Sequence, residues 1–307
     1  MRNNAHRSTN LGLADRARAM LAQRALLRRL PASRWYCTPA ARAPAVHLED
    51  DQEPGVKIMT LDRPDSLNAM TVEMGDAVQA AVSELSSLGP DQLRALVLTG
   101  RGRAFSAGGD MRFLDDRKAD NPTSNAQTML GFYKRFLSIR SLPVPIICCI
   151  NGPAIGAGAC FAMASDVRYT HSKAKIGFTF VGLGLHPGMG ATHSLAAAAG
   201  PQVASRLLLS GDVLSGDDAA AAGLVAASLP DAPAALAEAT ALARRVAAQS
   251  PLAVRATLRT LRVQADAELE RRLQREADAQ AQSYASADYA EGLSAVRAKR
   301  TPSFGGA

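Results

Sequence analysis

The chain has 307 residues, 47% of them hydrophobic, so it can bury a large core, and disorder along its whole length is excluded. Its formal net charge of +7 arises at the N-terminus, because residues 1–45 hold nine arginines, no lysine and one acid, which gives +8. The rest of the chain therefore carries −1 and offers no electrostatic reason to expect a nucleic-acid partner.

The N-terminal segment, residues 1–45, is rich in arginine and poor in acids. Between residues 11 and 30, leucines and alanines recur at helical spacing, with the arginines largely on the other side. This pattern predicts a mitochondrial transit peptide, cleaved between Leu30 and Pro44, and a matrix location for the mature protein. A basic amphipathic helix that contacts a membrane or a partner is the alternative.

An acidic, loop-like segment, Glu49–Gly55, precedes an alternation of strands and helices. The predicted elements, in chain order, are a strand at Val56–Leu61, a helix at Thr71–Leu88 capped by Thr71, a strand at Ala95–Thr99, a helix at Ser124–Ile139, a strand at Val144–Ile150, a helix at Ala157–Ala164 and a strand at Val167–Thr170. This alternation predicts one α/β domain.

From about Gly200 onward the pattern predicts helices only. They are expected at Gln202–Leu209, Ser215–Ala221, Pro233–Gln249, Pro251–Arg259 and Asp266–Ala285. Because helices of this length are marginal alone, we expect them to pack on the α/β core or on another subunit. The predicted organisation is a leader at 1–45, an α/β core at 46–200 and a C-terminal helical region at 201–307.

The most apolar stretch, Val144–Met163, has the length of a membrane span. The tripeptide at residues 151–153, Asn-Gly-Pro, divides it, so it is predicted to be a strand, a turn and a helix start, and no membrane span is expected. The four cysteines do not have the spacing of a metal site and are predicted to be reduced and structural. No metal site is expected.

Two glycine-rich turns follow predicted strands, at Arg103–Asp110 and at Asn151–Ala159. Small residues let a ligand approach the backbone, and a helix start presents free N–H groups, so each turn is able to donate a hydrogen bond to an oxyanion. Taken singly, each turn is more simply explained as a tight connection between a strand and a helix. Neither has the spacing of a nucleotide-phosphate loop, which argues against a dinucleotide or P-loop site.

Together and in this order, these segments resemble the crotonase (enoyl-CoA hydratase/isomerase) superfamily, over roughly Val56–Phe304. The matching segments are Leu61–Ala69, Phe105–Asp110, Pro145–Asp166, Gly182–Thr192, Gly211–Val225, Ser250–Ala253 and Asp288–Arg300. The resemblance implies an α/β fold of the ClpP/crotonase-like kind, a spiral of ββα units with a C-terminal helical region. It also implies trimers or hexamers and no cofactor beyond the coenzyme A thioester.

The resemblance further implies that the backbone amides of Gly109 and Ala157 form an oxyanion hole for the thioester carbonyl of an acyl-CoA. Other implied substrate contacts are Ser66, Leu67 and Ala69 at the adenine end of CoA, Lys299 near the CoA phosphates of a neighbouring copy, and Ala107, Asp110, Met111 and Phe180.

The chain departs from the family pattern where its hydratases carry two catalytic glutamates, because Cys160 and Phe180 stand at those positions. A cysteine in an apolar helix is a neutral thiol, and phenylalanine has no proton to give. The hydration reaction that uses two glutamates is therefore not predicted. Family hydrolases carry acids near the same segments, but here Phe180 and Gly188 are found.

Two candidates for proton transfer stay nearby. His186 precedes Pro187-Gly188 and is a candidate base by its residue type, and Asp110 follows the first glycine turn. A histidine packed under a turn and an acid that caps a helix are the favoured alternatives.

The sequence therefore predicts an acyl-CoA enzyme of the hydratase/isomerase type with a non-standard proton-transfer residue. The alternative is a crotonase-fold protein without catalysis that binds acyl-CoA, or serves as a structural subunit of a larger mitochondrial assembly.

Overall fold

The structure is a computed structural model that describes residues 44–306. The predicted transit peptide therefore lies almost wholly outside the described residues. Nine strands are described in this part of the chain: β1 (Val46–Asp50), β2 (Val56–Leu61), β3 (Ala95–Gly100), β4 (Ile146–Ile150), β5 (Ala154–Ile155), β6 (Val167–His171), β7 (Lys175–Gly177), β8 (Val213–Ser215) and β9 (Ala227–Leu229).

The strands form two sheets. The larger has the order β1-β2-β3-β4-β6-β9, in which β1 is antiparallel to β2 and the other neighbours are parallel. The smaller has the order β5-β7-β8, with β5 parallel and β8 antiparallel to β7. Every residue of β3 and of β4 is buried, as expected for the centre of a parallel sheet covered on both faces.

Nine α-helices are described between residues 44 and 306. They are α1 (Val72–Ser86), α2 (Met111–Asp116), α3 (Pro122–Leu137), α4 (Ala157–Met163), α5 (Ala191–Ser210), α6 (Gly216–Ala221), α7 (Ala232–Ala247), α8 (Pro251–Tyr284) and α9 (Ala287–Ala298). Helix α1 begins after Thr71, as predicted, and the Thr71 hydroxyl accepts a hydrogen bond from the amide of Met74.

Two apolar clusters cover the large sheet, one on each face. On one face, Ala235, Ala239 and Ala243 of α7 are fully buried against alternate strand residues such as Val97. Alanine every fourth residue lets this helix lie close to the sheet. The other face carries Leu96 and the larger core, to which α1, α3, α4, α5, α8 and α9 contribute. The α/β fold class is confirmed.

Several predicted boundaries are wrong. Glu49 and Asp50 end strand β1, so the acidic segment is only partly a loop. The region after residue 200 is not wholly helical, because it supplies β8 and β9. Pro251–Tyr284 is one helix without the predicted break, since no glycine or proline interrupts it after its first residue.

Helix α5 begins at Ala191, earlier than predicted, and its two halves meet at Gly200, whose φ of 80° is not helical. The apolar stretch from Val144 to Met163 contains β4, a turn, β5 and α4, in agreement with the sequence. Among residues 44–306, no helix combines the length and apolarity that crossing a membrane requires.

Candidate active site

The two glycine turns lie against each other. The Ser106 amide donates to the Pro153 carbonyl at 3.1 Å, and the Ile155 amide donates to the Ser106 carbonyl at 3.0 Å. A Cβ on Gly108 would sit 2.5 Å from the Ile155 oxygen, and one on Gly158 would sit 2.6 Å from the Ser106 oxygen. Only glycine at these two positions allows such a close approach.

The turns leave two backbone amides free. The Met70 amide donates to the Gly108 carbonyl, and the Asp110 amide donates to the Met70 carbonyl, so the N–H of Gly109 between them is directed away from Met70. Ala157 is the first residue of α4, where an N–H has no partner within the helix. Neither N–H finds an acceptor in the part of the chain described.

These two amides share a surface. Gly109 and Ala157 both line a cavity of about 350 Å³, here called the central cavity. The Ala157 nitrogen lies 3.6 Å from the place that a Cβ on Gly108 would take, so the two amides are near neighbours. Two such donors are able to stabilise one ligand oxygen that gains negative charge.

The central cavity is apolar. Glycine, alanine and large apolar side chains form most of its wall, and the rings of Phe113 and Phe132 stack there with centroids 4.8 Å apart. No charged residue, histidine or cysteine among residues 44–306 lines it. Within the same residues, no three His, Cys, Asp or Glu side chains are grouped to hold a metal ion. The cavity has the size and composition of a site for a small apolar group.

A buried polar cluster closes one side of the cavity. Gln280 Oε1 accepts hydrogen bonds from the hydroxyls of Tyr133 at 2.6 Å and Tyr284 at 3.2 Å, while its Nε2 donates to the His186 carbonyl at 2.8 Å. Burial raises the pKa of both tyrosines well above the ordinary value. Both hydroxyls therefore stay protonated, and α8 is tied to α3 across the cavity.

The structure brings five of the predicted site residues together. They all line the central cavity: Ala107, Gly109, Met111, Ala157 and Phe180. The sequence could indicate these positions because they lie in or near the segments that carry the family resemblance.

Neither candidate for proton transfer lines this cavity. His186 lines a separate cavity of about 630 Å³, and its Nδ1 lies 2.6 Å from the Pro187 carbonyl oxygen. Asp110 caps α2, where its Oδ1 accepts from the amides of Arg112 at 2.9 Å and Phe113 at 3.1 Å. These positions support the structural explanations and give no support to catalytic roles.

The residues expected at the CoA end lie apart from the cavity wall. Ser66, Leu67 and Ala69 belong to a segment beside the first glycine turn, where the Ala107 amide donates to the Leu67 carbonyl at 2.9 Å. Lys299 is exposed at the end of α9 with a φ of 52°.

Cys160 and Phe180 stand where the family resemblance implies glutamates, and they differ in their exposure to the central cavity. Phe180 lines it, with 8% of its surface exposed. Cys160 is buried in α4 and is not part of the wall, and burial raises the pKa of its thiol well above the ordinary value. The thiol is therefore neutral.

Sequence analysis missed a buried acid, Glu276 of α8. Its carboxylate accepts hydrogen bonds from the Gly190 amide at 2.6 Å, and from the amide and hydroxyl of Thr192 at 2.9 and 2.5 Å. Burial raises its pKa, although these hydrogen bonds and His186 lower it in part. Nothing in the charged sequence of α8 distinguishes Glu276 from its exposed neighbours, so no sequence signal could have found it.

Comparison with known proteins shows the family of the chain. Residues 51–307 match the model of a family described as enoyl-CoA hydratase/isomerase. The 1,2-epoxyphenylacetyl-CoA isomerase of Escherichia coli K12 is 36% identical over 260 residues, which cover 83% of this chain and 96% of the relative. The 2,3-dehydroadipyl-CoA hydratase of the same organism is 31% identical over 252 residues, covering 82% and 95%.

A solved structure, an enoyl-CoA hydratase/isomerase from Pseudoalteromonas atlantica T6c, superimposes with a TM-score of 0.73 at 29% identity. The match covers 85% of this chain and all of that one. The crotonase fold implied by the sequence motifs is thereby confirmed. The chain belongs to the enoyl-CoA hydratase/isomerase family of the crotonase superfamily, whose relatives named here are enzymes that process acyl-CoA thioesters.

Proposed function

We propose that this protein binds the thioester carbonyl oxygen of an acyl-CoA between the backbone amides of Gly109 and Ala157. The observation that carries the proposal is that both N–H groups lack an acceptor among residues 44–306 and border one apolar cavity. Two donors aimed at a thioester enolate lower the barrier to its formation by about 3 kcal/mol each, by analogy with other oxyanion holes.

The proton steps are proposed to differ from hydration by two glutamates. Cys160 and Phe180 stand at the positions that the family resemblance assigns to those glutamates, and neither side chain is able to exchange a proton at neutral pH. Since His186 and Asp110 lie off the cavity wall, water bound in the cavity is the proposed proton carrier.

A second function is favoured by one observation: no side chain that titrates near neutral pH lines the central cavity within the described residues. A protein with this wall and two free amides is able to bind an acyl-CoA without converting it. It would then act as an acyl-CoA-binding or structural subunit of a mitochondrial assembly.

The remaining site residues keep the roles that the resemblance implies. Ser66, Leu67 and Ala69 are proposed to contact the adenine end of CoA, which their position beside the first glycine turn supports. Lys299 is proposed to reach the CoA phosphates of a neighbouring copy in a trimer or hexamer. The Arg-rich leader supports the proposal of a mitochondrial matrix location.

The test is turnover of crotonyl-CoA and longer enoyl-CoAs by the wild type, Ala157→Pro and Ala157→Gly, with calorimetric binding of acetoacetyl-CoA. Proline is tolerated at the first position of a helix; it replaces the N–H by a ring carbon that points toward the ligand, whereas glycine keeps the N–H. We expect Ala157→Pro to lose about 100- to 1000-fold in kcat/KM, and Ala157→Gly to stay near the wild type.

Two other outcomes are informative. Tight binding of acetoacetyl-CoA without turnover of any thioester would favour the non-catalytic alternative. Equal turnover by the folded proline and glycine variants would contradict the role of the Ala157 amide.

A further inference from the structure

A second cavity, of about 250 Å³, is lined by three arginines, Arg140, Arg168 and Arg262, and by one acid, Asp166. It is here called the arginine cavity. Within the described part of the chain it shares no lining residue with the central cavity. It is therefore a separate site from the one proposed for the thioester.

Two of these arginines are held on neighbouring peptide groups. Arg140 Nη1 donates to the Ala164 carbonyl at 3.0 Å, and Arg168 Nη1 donates to the Ser165 carbonyl at 2.6 Å. Because the two acceptors belong to consecutive residues, both guanidinium groups lie at the same part of the wall. The charge of Arg140 accordingly contributes to lowering the pKa of Arg168, after the larger effect of burial.

Two of the three arginines have a carboxylate partner. Arg262 donates from Nε and Nη2 to the two oxygens of Asp166, at 2.8 and 2.5 Å, and Arg140 Nε donates to Asp266 at 2.6 Å. Arg168 forms no ion pair with any residue between 44 and 306. The arginine cavity therefore has one positive charge without a contacting counter-charge.

The guanidinium of Arg168 also has a free donor. Its Nε donates to the Leu224 carbonyl at 2.7 Å, but its Nη2 makes no hydrogen bond with a described residue. In the same part of the chain, the fully buried side-chain atoms without a partner are Arg94 Nε and Ser228 Oγ, so Arg168 Nη2 reaches accessible space. A partly desolvated cation of this kind is stabilised by an anion that contacts it.

Much of the remaining wall of the arginine cavity is apolar. Its large apolar side chains are Met163, Leu258, Leu261 and Leu269. One unmatched positive charge fits a ligand with one negative charge, and the apolar wall fits a hydrocarbon tail. Inorganic phosphate has no apolar part and gains nothing from these side chains.

We propose that the arginine cavity binds an aliphatic monocarboxylate, with its carboxylate at Arg168 and its hydrocarbon tail against the leucines of α8. An arginine N–H donated to a carboxylate is a charge-assisted hydrogen bond, which is stronger than a neutral one. Burial of the tail adds to the affinity with each methylene group. The inference goes beyond the proposed function and does not depend on it, since no residue of the thioester site takes part.

The experiment is calorimetric titration of the full chain with hexanoate, with hexan-1-ol, which has the same tail and no charge, and with inorganic phosphate. The wild type is expected to bind hexanoate at least about 10-fold more tightly than hexan-1-ol, the effect of one charge-assisted hydrogen bond. Arg168→Met keeps an unbranched stem and removes the guanidinium, so it should weaken hexanoate binding by about 10-fold or more.

A matched pair of variants on α8 tests the location without touching the hydrogen bonds of Arg168. Leu261 and Leu252 are 73% and 81% exposed, and only Leu261 lines the arginine cavity. A carboxylate at the cavity repels the ligand, so Leu261→Glu should weaken hexanoate binding by about 3- to 5-fold, and Leu252→Glu should leave it unchanged. This comparison decides the question even if Arg168→Met does not fold.

Four results would overturn the inference. They are the absence of saturable hexanoate binding by the wild type, equal affinity for hexanoate and hexan-1-ol, tighter binding of phosphate than of hexanoate, and equal affinities in Leu261→Glu and Leu252→Glu. The last result would place hexanoate elsewhere, as in the central cavity. None of them bears on the oxyanion hole, which is tested by turnover of acyl-CoA thioesters.

Discussion

The central cavity has two walls of different construction. The backbone wall, residues 106–109 and 155–157, presents amides held by turn hydrogen bonds and close glycine contacts. The helical wall, formed by Tyr133, Gln280 and Tyr284, presents side chains that bond to one another. Donors in the backbone do not depend on side-chain identity, so this wall keeps its hydrogen-bonding capacity whichever side chains stand at positions 160 and 180.

Among the variants that change how the two walls pack, the largest effect is expected from Gly108→Ala in the backbone wall. Gly108 has a φ of 91°, and the added Cβ would meet the Ile155 carbonyl oxygen at 2.5 Å, so the second turn must shift. We expect about a 100-fold loss in kcat/KM from displaced oxyanion donors, and a loss of about 2 kcal/mol in unfolding free energy measured with urea.

Gly109→Ala is the matched control for Gly108→Ala. The heavy atoms nearest to its Cβ would be those of Leu114, at 3.6 Å, an ordinary contact, and its amide is kept. Equal losses in the two variants would show that the close contact between the turns is not what positions the amides.

A smaller effect on activity, with a clear effect on stability, is expected from Gln280→Leu in the helical wall. It leaves the Tyr133 hydroxyl and the His186 carbonyl without their partner, and the Tyr284 hydroxyl with only the Met129 sulfur, 3.4 Å away. Unpaired buried polar groups cost about 1–3 kcal/mol each, so we expect a loss of about 3 kcal/mol in the unfolding free energy.

The control for the helical wall is Gln282→Ala on the exposed side of α8, expected to change stability by less than about 0.5 kcal/mol. If Gln280→Leu proved as harmless as this control, the cluster would not hold α8 to the cavity.

The smallest effect is expected from replacing Glu276, which changes how the unfolding free energy depends on pH. Burial raises the folded-state pKa of Glu276 above the value of 4.5 that it has when exposed. Between these two values the folded protein binds more protons than the unfolded chain, so the unfolding free energy falls as pH rises through this window. We expect Glu276→Gln to lack this decline, measured as urea midpoints from pH 4 to 8.

Glu291 provides a comparison of opposite sign. Its hydrogen bond with Arg300 lowers its pKa from 4.5 to about 2. Its stabilising effect is therefore present above pH 4.5 and is lost as pH falls toward 2. Glu291→Gln should leave the slope of unfolding free energy against pH unchanged above pH 4.5. A changed slope there would mean that the decline in this range does not arise from Glu276.

The backbone wall could be predicted from the sequence, and the helical wall could not. Glycine turns after apolar strands are local signals. The family resemblance that they carry implied Gly109 and Ala157, and both residues line the central cavity. The contact between Tyr133 and Gln280 joins residues far apart in the chain, and its partners look like ordinary members of long helices. Only the tertiary packing selects them.

The difference between local signals and tertiary contacts also explains the errors in the predicted strands and helices. Strands β2 and β3 are apolar runs that can be recognised locally. Strand β9 has three residues and exists because it pairs with β6, more than fifty residues earlier. His186 was a reasonable candidate by chemistry, but the hydrogen bonds that turn its segment away from the central cavity involve Gln280 and Ser283 of α8.

The central claim, that the amides of Gly109 and Ala157 polarise a thioester carbonyl, is tested most directly by infrared difference spectroscopy of the bound acyl-CoA. Isotopic labelling of the carbonyl carbon of butyryl-CoA isolates its stretching band. In the wild type and Ala157→Gly we expect this band at lower frequency than in free butyryl-CoA, and in Ala157→Pro the shift should be much smaller. A band in the wild type at the frequency of the free thioester would contradict the account.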